Sequence, residues 1–165
     1  MSQNEKKSQQ DYVKKCKEAA VKGNVIAQNT LGYLYLNGQG IKQDYKTAVQ
    51  WFKSASSEGY APAQYNLAIM YKLGQGVEQS HPDSIKWMQA SANQAYAEAQ
   101  SNLGNMYYQG LAVTQDYTLA LMWWTLAGQS GAKNVEHNKS NIKGKMTSSQ
   151  LDQTQHLVRQ WETKH

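Results

Sequence analysis

Residues 31–44 read LGYLYLNGQGIKQD, residues 67–80 LAIMYKLGQGVEQS and residues 103–116 LGNMYYQGLAVTQD, each 36 positions after the one before. The first stretch sets a Gly-x-Gly behind an apolar run, a pattern shared by phosphate loops and helix ends. The recurrence separates the two. A fixed period of this length marks one supersecondary unit stacked on copies of itself. Down the copies run Ala27, Ala63, Ala99, then Gln28, Gln64, Gln100, then Leu31, Leu67, Leu103. Leu34, Met70, Met106 and Tyr35, Tyr71, Tyr107 follow, then Ile41, Val77, Val113, then Trp51, Trp87, Trp123, and Ala55, Ser91, Ala127.

Within a unit the apolar period is helical twice. Ala27, Leu31, Leu34 and Tyr35 share one face of a helix A over about 24–37. Ala48, Val49, Phe52, Ala55 and Ser56, with Trp51 beside them, predict a helix B over about 44–58. Gly38 and Gly74 stand just past the last periodic residue of helix A, where a left-handed residue ends a helix. A dinucleotide fingerprint places its glycines after a strand and adds a third, and the last copy carries Ala112 at the second glycine. The stretch therefore reads as a helix end. Asp44, Ser80 and Asp116 are placed to cap helix B, and Pro62 and Pro82 fall in first turns, where a missing N–H costs nothing.

Shifting back one period aligns Val13 with Val49, Cys16 with Phe52, Ala19 with Ala55 and Gly23 with Gly59. Residues 9–22 thus read as an orphan helix B, with Lys15 in the tryptophan column because no earlier unit needs covering. After Gly131 the pattern decays: Val135 keeps the alanine column, while Lys139 and Lys143 stand where leucine and tyrosine belong. A short fourth helix A is expected over about 132–143. Thr147 and Gln150 form a capping box opening a last helix with Leu151, Thr154, Val158 and Trp161 on one side. The resulting division is a polar tail 1–8, a capping half repeat 9–23, repeats 24–59, 60–95 and 96–131, and a degenerate repeat with a capping helix 132–165.

The chain has 165 residues, 40% hydrophobic and 18% charged, which is the composition of a folded domain. No apolar run reaches membrane-spanning length. MSQNEKKSQQ at the start has no signal-like apolar segment, so the expected location is periplasmic if a leader has been removed and cytoplasmic otherwise. The single cysteine, Cys16, excludes an intrachain disulfide and reads as a packing residue. Net charge is +5, carried as +3 in residues 1–23, −1 in 24–131 and +3 in 132–165. Charge confined to the ends, rather than laid in a continuous stripe, disfavours a duplex-binding surface and leaves nucleic acid on the basic terminal helices as the alternative partner.

Catalysis needs convergent groups, and none recur here. His81, His137, His156 and His165 lack a second ligand at metal spacing. His81 occupies the helix-start column of Tyr45 and Tyr117, and GQSG at 128–131 closes a helix in register. The Asn138-Lys139-Ser140 triplet fits a glycosylation sequon, a match common by chance. The tryptophans could stack bases, but their strict recurrence predicts packing between stacked hairpins. No enzyme activity, metal or cofactor is expected.

The unit A-x3-L-G-x2-Y-x2-G-x-G-[IV]-x2-D-x3-A-x2-W-x3-A-x3-G, matched by Ala27–Gly59 at almost every position, resembles the Sel1-like repeat, a relative of the tetratricopeptide repeat. The second copy departs at Ala68, Ser80, Ser84, Ser91 and Ala95 and the third at Ala112, small for small; the tail MTSSQLDQTQHLVRQW is similar to how many bacterial members end. The resemblance implies an all-α, right-handed α-solenoid with helices A on its concave side. It further implies a non-enzymatic, protein-binding role, as an envelope adaptor or scaffold or as an immunity protein blocking an effector.

Columns that vary between copies are free of the packing requirement. On helix A these include Ile26, Pro62, Glu98 and the set Asn29, Tyr33, Leu36, Asn37, Tyr65, Ile69, Lys72, Leu73, Ser101, Asn105, Tyr108 and Gln109, on the face opposite the buried stripe. Tyrosine and aliphatic groups mixed with amides suit an interface. These residues are the expected partner-binding groove, with some, Tyr33 and Ile69 above all, open to a packing role instead. The expected partner is a protein, and the chain is expected to be a monomer when free.

Overall fold

The computed structural model describes residues 3–165. Among them it holds nine α-helices and no strand: α1 Gln3–Val21, α2 Val25–Asn37, α3 Tyr45–Ser57, α4 Ala61–Leu73, α5 His81–Ala92, α6 Ala97–Gln109, α7 Tyr117–Gln129, α8 Glu136–Lys143 and α9 Ser148–Lys164. They form two compact units, one ending at Ser84 and the other Ile85–His165, so the division falls inside α5. In the first unit α1 packs on α2, α2 on α3 and α3 on α4; in the second α6 packs on α7, and α7 on α8 and α9.

The Gly-x-Gly ends a helix and then does a second thing. Gly38, Gly74 and Gly110 all sit at φ 67°, and their N–H groups donate to the carbonyls of Leu34, Met70 and Met106. The second glycine serves close approach: a Cβ on Gly76 would overlap the Tyr45 carbonyl, and one on Gly40 would press on Gln9 and Val13 of α1. Ala112 stands at this second position with φ 63°. A glutamine column in the same loops also caps the helix. The Nε2 groups of Gln43, Gln79 and Gln115 donate to the carbonyls of Leu36, Lys72 and Tyr108, each at 2.8 Å, satisfying helix-end acceptors.

Helix B starts as its sequence directs. Asp44 accepts from the Thr47 N–H at 3.1 Å and hydroxyl at 2.7 Å, Asp116 from the Leu119 N–H at 3.0 Å, and the Ser80 hydroxyl from the Asp83 N–H at 3.3 Å. The Thr147–Gln150 capping box opens α9, which buries Thr154 and Val158.

Leu31, Leu67 and Leu103 are fully buried, as are Ala63 and Ala99. The tryptophan expectation needs correction. Trp123 is buried, but Trp51 and Trp87 are only half-buried, and the deeply buried helix B column is the next one, Phe52, Met88 and Trp124. One residue is about 100° around a helix, which leaves the 51/87/123 column at the rim of the core. Trp51 lies there against the cluster of Val13, Cys16, Ala20, Leu31 and Leu34. The buried column explains a covariation along helix A. A Cβ on Gly32 would meet the Phe52 ring at 2.6 Å, and one on Gly104 would overlap the Trp124 indole. The copy carrying Met88 carries Ala68.

The Gln28, Gln64, Gln100 column ties each helix A to the helix before it. Their Nε2 groups donate to the carbonyls of Ala20, Ser56 and Ala92 at 3.2, 3.3 and 3.1 Å. Two helix limits differ from expectation. The orphan helix begins at Gln3 rather than about residue 9, since NEKKSQQ contains no glycine or proline to stop it. Its core residues are Val13, Cys16 and Ala20, with Ala19 half-buried. The fourth helix A begins at Glu136, four residues late, because Val135 provides no side-chain cap and the preceding residues form a turn closed by Ala132 N–H donating to Ala127 O at 2.8 Å.

Candidate protein-binding surface

The variable residues of helix A divide into those the fold uses and those it leaves open. On α2, Asn29 is half-buried and accepts from Asn66 Nδ2 of α4 at 2.9 Å, a direct bridge between two helices A. Tyr33 is 48% exposed, Leu36 is half-buried, and Asn37 is exposed with its amide donating to the Tyr33 carbonyl at 3.0 Å. On α4, Tyr65, Ile69 and Lys72 are half-buried and Leu73 is 55% exposed. These residues belong to one unit, and the Asn29–Asn66 bridge draws their two helices together.

On α6, Ser101 is half-buried and Gln109 exposed, but Asn105 and Tyr108 are engaged internally. Asn105 accepts from the Trp124 indole N–H at 3.2 Å, supplying the partner that a buried indole needs. Tyr108 stacks on Tyr117 at 5.7 Å between ring centroids and tilts against Trp124 at 5.5 Å. Its hydroxyl accepts from Lys145 Nζ at 3.0 Å, and the ammonium also lies 5.3 Å from the ring centre. The hydrogen bond to Tyr108 raises the Lys145 pKa. Tyr108 is therefore part of the packing that joins α6 and α7 to the segment before α9. Nothing in the repeat register pairs Lys145 with Tyr108, since the pattern has decayed by that point.

Ile26, a variable helix A position expected on this face, is 60% exposed, and Tyr12, Val21 and Leu111 are exposed apolar groups outside the expectation. Ile26 belongs to a variable helix A column, and that variability is the signal that marks it. Other aromatic faces are covered by lysine: Lys17 lies over Tyr35 and Lys53 over Tyr71, each 5.7 Å from the ring centre. Among the described residues no group of three or more His, Cys, Asp or Glu could hold a metal ion, and no helix is long and apolar enough to cross a membrane.

The Sel1 repeat family model matches residues 25–60, 61–96 and 97–131. The crystal structure of a Sel1 repeat protein from Oxalobacter formigenes is similar, with a TM-score of 0.68 and 32% identity over 71% of this chain and 47% of that one. So is c5321, a protective antigen present in uropathogenic Escherichia coli strains and displaying an SLR fold, with a TM-score of 0.68 and 26% identity over 90% of this chain and 40% of that one. The chain thus spans less than half the length of these solved relatives. No curated protein matches. The helices and these likenesses give an all-α solenoid of helical hairpins.

Proposed function

Because this chain belongs to the Sel1 repeat family, whose repeats are generally protein-interaction modules, we propose that it binds a partner protein through the face of its helices A and catalyses nothing itself. The observation that carries this reading is the pair Tyr33 and Leu73, 48% and 55% exposed on two helices A of one unit, with Ile26 of the first of these helices exposed as well. Folding makes little use of these side chains, while burial against a partner would remove their apolar area from water. Asn37 and Lys72 beside them supply polar orientation, and Tyr65 and Ile69 extend the surface.

Within that role the chain acts as an adaptor or scaffold in a bacterial envelope, or as an immunity protein that occludes one effector. An inhibitor would hold a single partner tightly and an adaptor several more weakly. The nucleic-acid alternative draws on the basic ends, where Lys17 and Lys145 lie over tyrosine rings and Lys139 pairs with Glu136 at 2.7 Å. These are three of the twelve Lys and Arg at the ends, and what favours the protein reading is that the charge is split between the ends rather than laid in a continuous stripe.

The test is affinity capture with the native chain and with Tyr33→Ala/Leu73→Ala. The expected outcome is loss of a reproducible protein partner at unchanged helical content and Tm. Retention of the partner by the double variant contradicts the assignment. Steeply salt-dependent binding to duplex DNA would favour the alternative.

A further inference from the structure

Between α7, α8 and α9 lies a cleft of about 470 Å³, within the ~300–1,000 Å³ typical of ligand sites. Leu121, Leu151 and Val158 supply its apolar surface, and Lys139, Lys143 and Arg159 bring three cations to it. Among the described residues no carboxylate lines it.

The repeat accounts for the cavity. Val135 and Ile142 keep the Ala27 and Leu34 columns and are buried, so α8 and the residue before it still present half of the helix A stripe to their neighbours. The two missing members of that stripe are Lys139 and Lys143, in the columns that hold Leu31, Leu67, Leu103 and Tyr35, Tyr71, Tyr107 elsewhere. Where other copies fill the core with a leucine and a tyrosine, this one leaves an apolar-walled space with ammonium groups at its edge.

The polar groups restrict what can enter. The Thr125 hydroxyl donates to the Leu121 carbonyl at 2.7 Å and the Thr154 hydroxyl to the Gln150 carbonyl at 2.9 Å, so neither is a ready donor for a neutral polar ligand. Lys139 is shared with Glu136 at 2.7 Å, leaving Lys143 and Arg159 as exposed cations at the cleft, Arg159 with its Nε donating to the Gln155 carbonyl at 3.3 Å. Among the described residues no aromatic ring on which a base could stack lines the cleft. Gln155, exposed at the cleft, adds an amide to these cations, and what fits the set is a bulky apolar group with negative charge beside it.

We propose that this cleft docks an acidic segment of a partner protein, inserting one leucine-like or aromatic side chain in place of the missing core residues while flanking carboxylates meet Lys143 and Arg159. The proposal rests on the protein-binding reading but uses a surface separate from Tyr33 and Leu73.

The probe is the acetylated peptide DDFDD, titrated into the ¹⁵N-labelled full chain, with DDADD, KKFKK and decanoate as comparisons. DDFDD should shift the amide resonances of Leu121, Leu151 and Val158, and binding should weaken at least roughly tenfold in Lys143→Glu/Arg159→Glu with Tm retained. Filling the cleft by Lys139→Leu/Lys143→Tyr should raise Tm and abolish those shifts. The proposal is overturned if no shifts occur at about 1 mM peptide, if DDADD or KKFKK binds as well as DDFDD, or if decanoate binds and the peptide does not. Because the peptide reads the cleft alone and affinity capture with Tyr33→Ala/Leu73→Ala reads the helix A face, either can fail without the other.

Discussion

The indole of Trp124 occupies the space into which a Cβ on Gly104 would project, and Phe52 stands in the same relation to Gly32. The two glycines are there for ring clearance. Both rings are almost fully buried, so neither can swing away without disturbing the core. Gly104→Ala should therefore destabilise the chain by about 1–3 kcal/mol, the usual range for overpacking. Against a Trp124→Met background the same change should cost little, because the flexible thioether can yield, as the Ala68 and Met88 combination of the second copy suggests. Denaturant unfolding of the four members of this cycle measures the coupling.

Gln100 is fully buried and donates to Ala92 O at 3.1 Å, while its Oε1 is buried without a hydrogen-bond partner. The Ala92 carbonyl also accepts from the Ala95 N–H at 3.0 Å, so it keeps one bond when the glutamine is removed. Gln100→Ala should cost about 2 kcal/mol or more through the cavity and the lost bond. Gln100→Met should stay within about 1 kcal/mol of the native chain, because it restores volume and removes the unpaired oxygen. Equal losses in the two variants, measured by urea unfolding, would show that the hydrogen bond outweighs packing.

Ala95 and Ala112 hold φ values of 59° and 63°. The left-handed region costs a residue with a Cβ roughly 1–2 kcal/mol, and glycine avoids that cost. Ala112→Gly and Ala95→Gly should each stabilise the chain by about 0.5–1 kcal/mol after the greater freedom of glycine in the unfolded state is deducted. Thermal unfolding checks the sign.

The Asp44 carboxyl titrates below its usual value, first because the Thr47 hydroxyl donates to it and then because the Thr47 N–H does. A depressed carboxylate stabilises the fold above its unfolded pKa, about 3.8, and that contribution disappears as pH falls through the lower folded value. The stability difference between the native chain and Asp44→Asn should be constant above about pH 5 and shift toward the asparagine variant at lower pH. A difference that does not change with pH would mean the cap acts only as a neutral acceptor.

Helices α2 to α7, the glycine ends of α2, α4 and α6 and the caps Asp44, Ser80 and Asp116 were legible in the sequence because each depends on local chemistry that recurs from copy to copy. The Ala, Leu and Met columns of helix A followed from the same recurrence. Other features depend on contacts that a period cannot report. Recurrence singled out Trp51, Trp87 and Trp123, yet a recurring residue can sit at the rim as well as the centre, and the centre belongs to the more variable Phe52, Met88 and Trp124. Variability pointed to Asn105 and Tyr108 as open surface, but both are held by Trp124, Tyr117 and Lys145 in a terminal arrangement the other copies lack. The start of α1 and the delayed α8 lie where the repeat has no neighbouring copy to set its limits.

Placing a photoreactive amino acid at single exposed positions of the chain in its native cells tests most directly whether helices A bind the partner. With the crosslinker at Tyr33 or Leu73, a protein should be captured at one defined mass; with it at the exposed helix B positions Gln50 or Lys86, none should be. Capture from Gln50 or Lys86 with silence at Tyr33 and Leu73 would contradict the assignment of the helix A face.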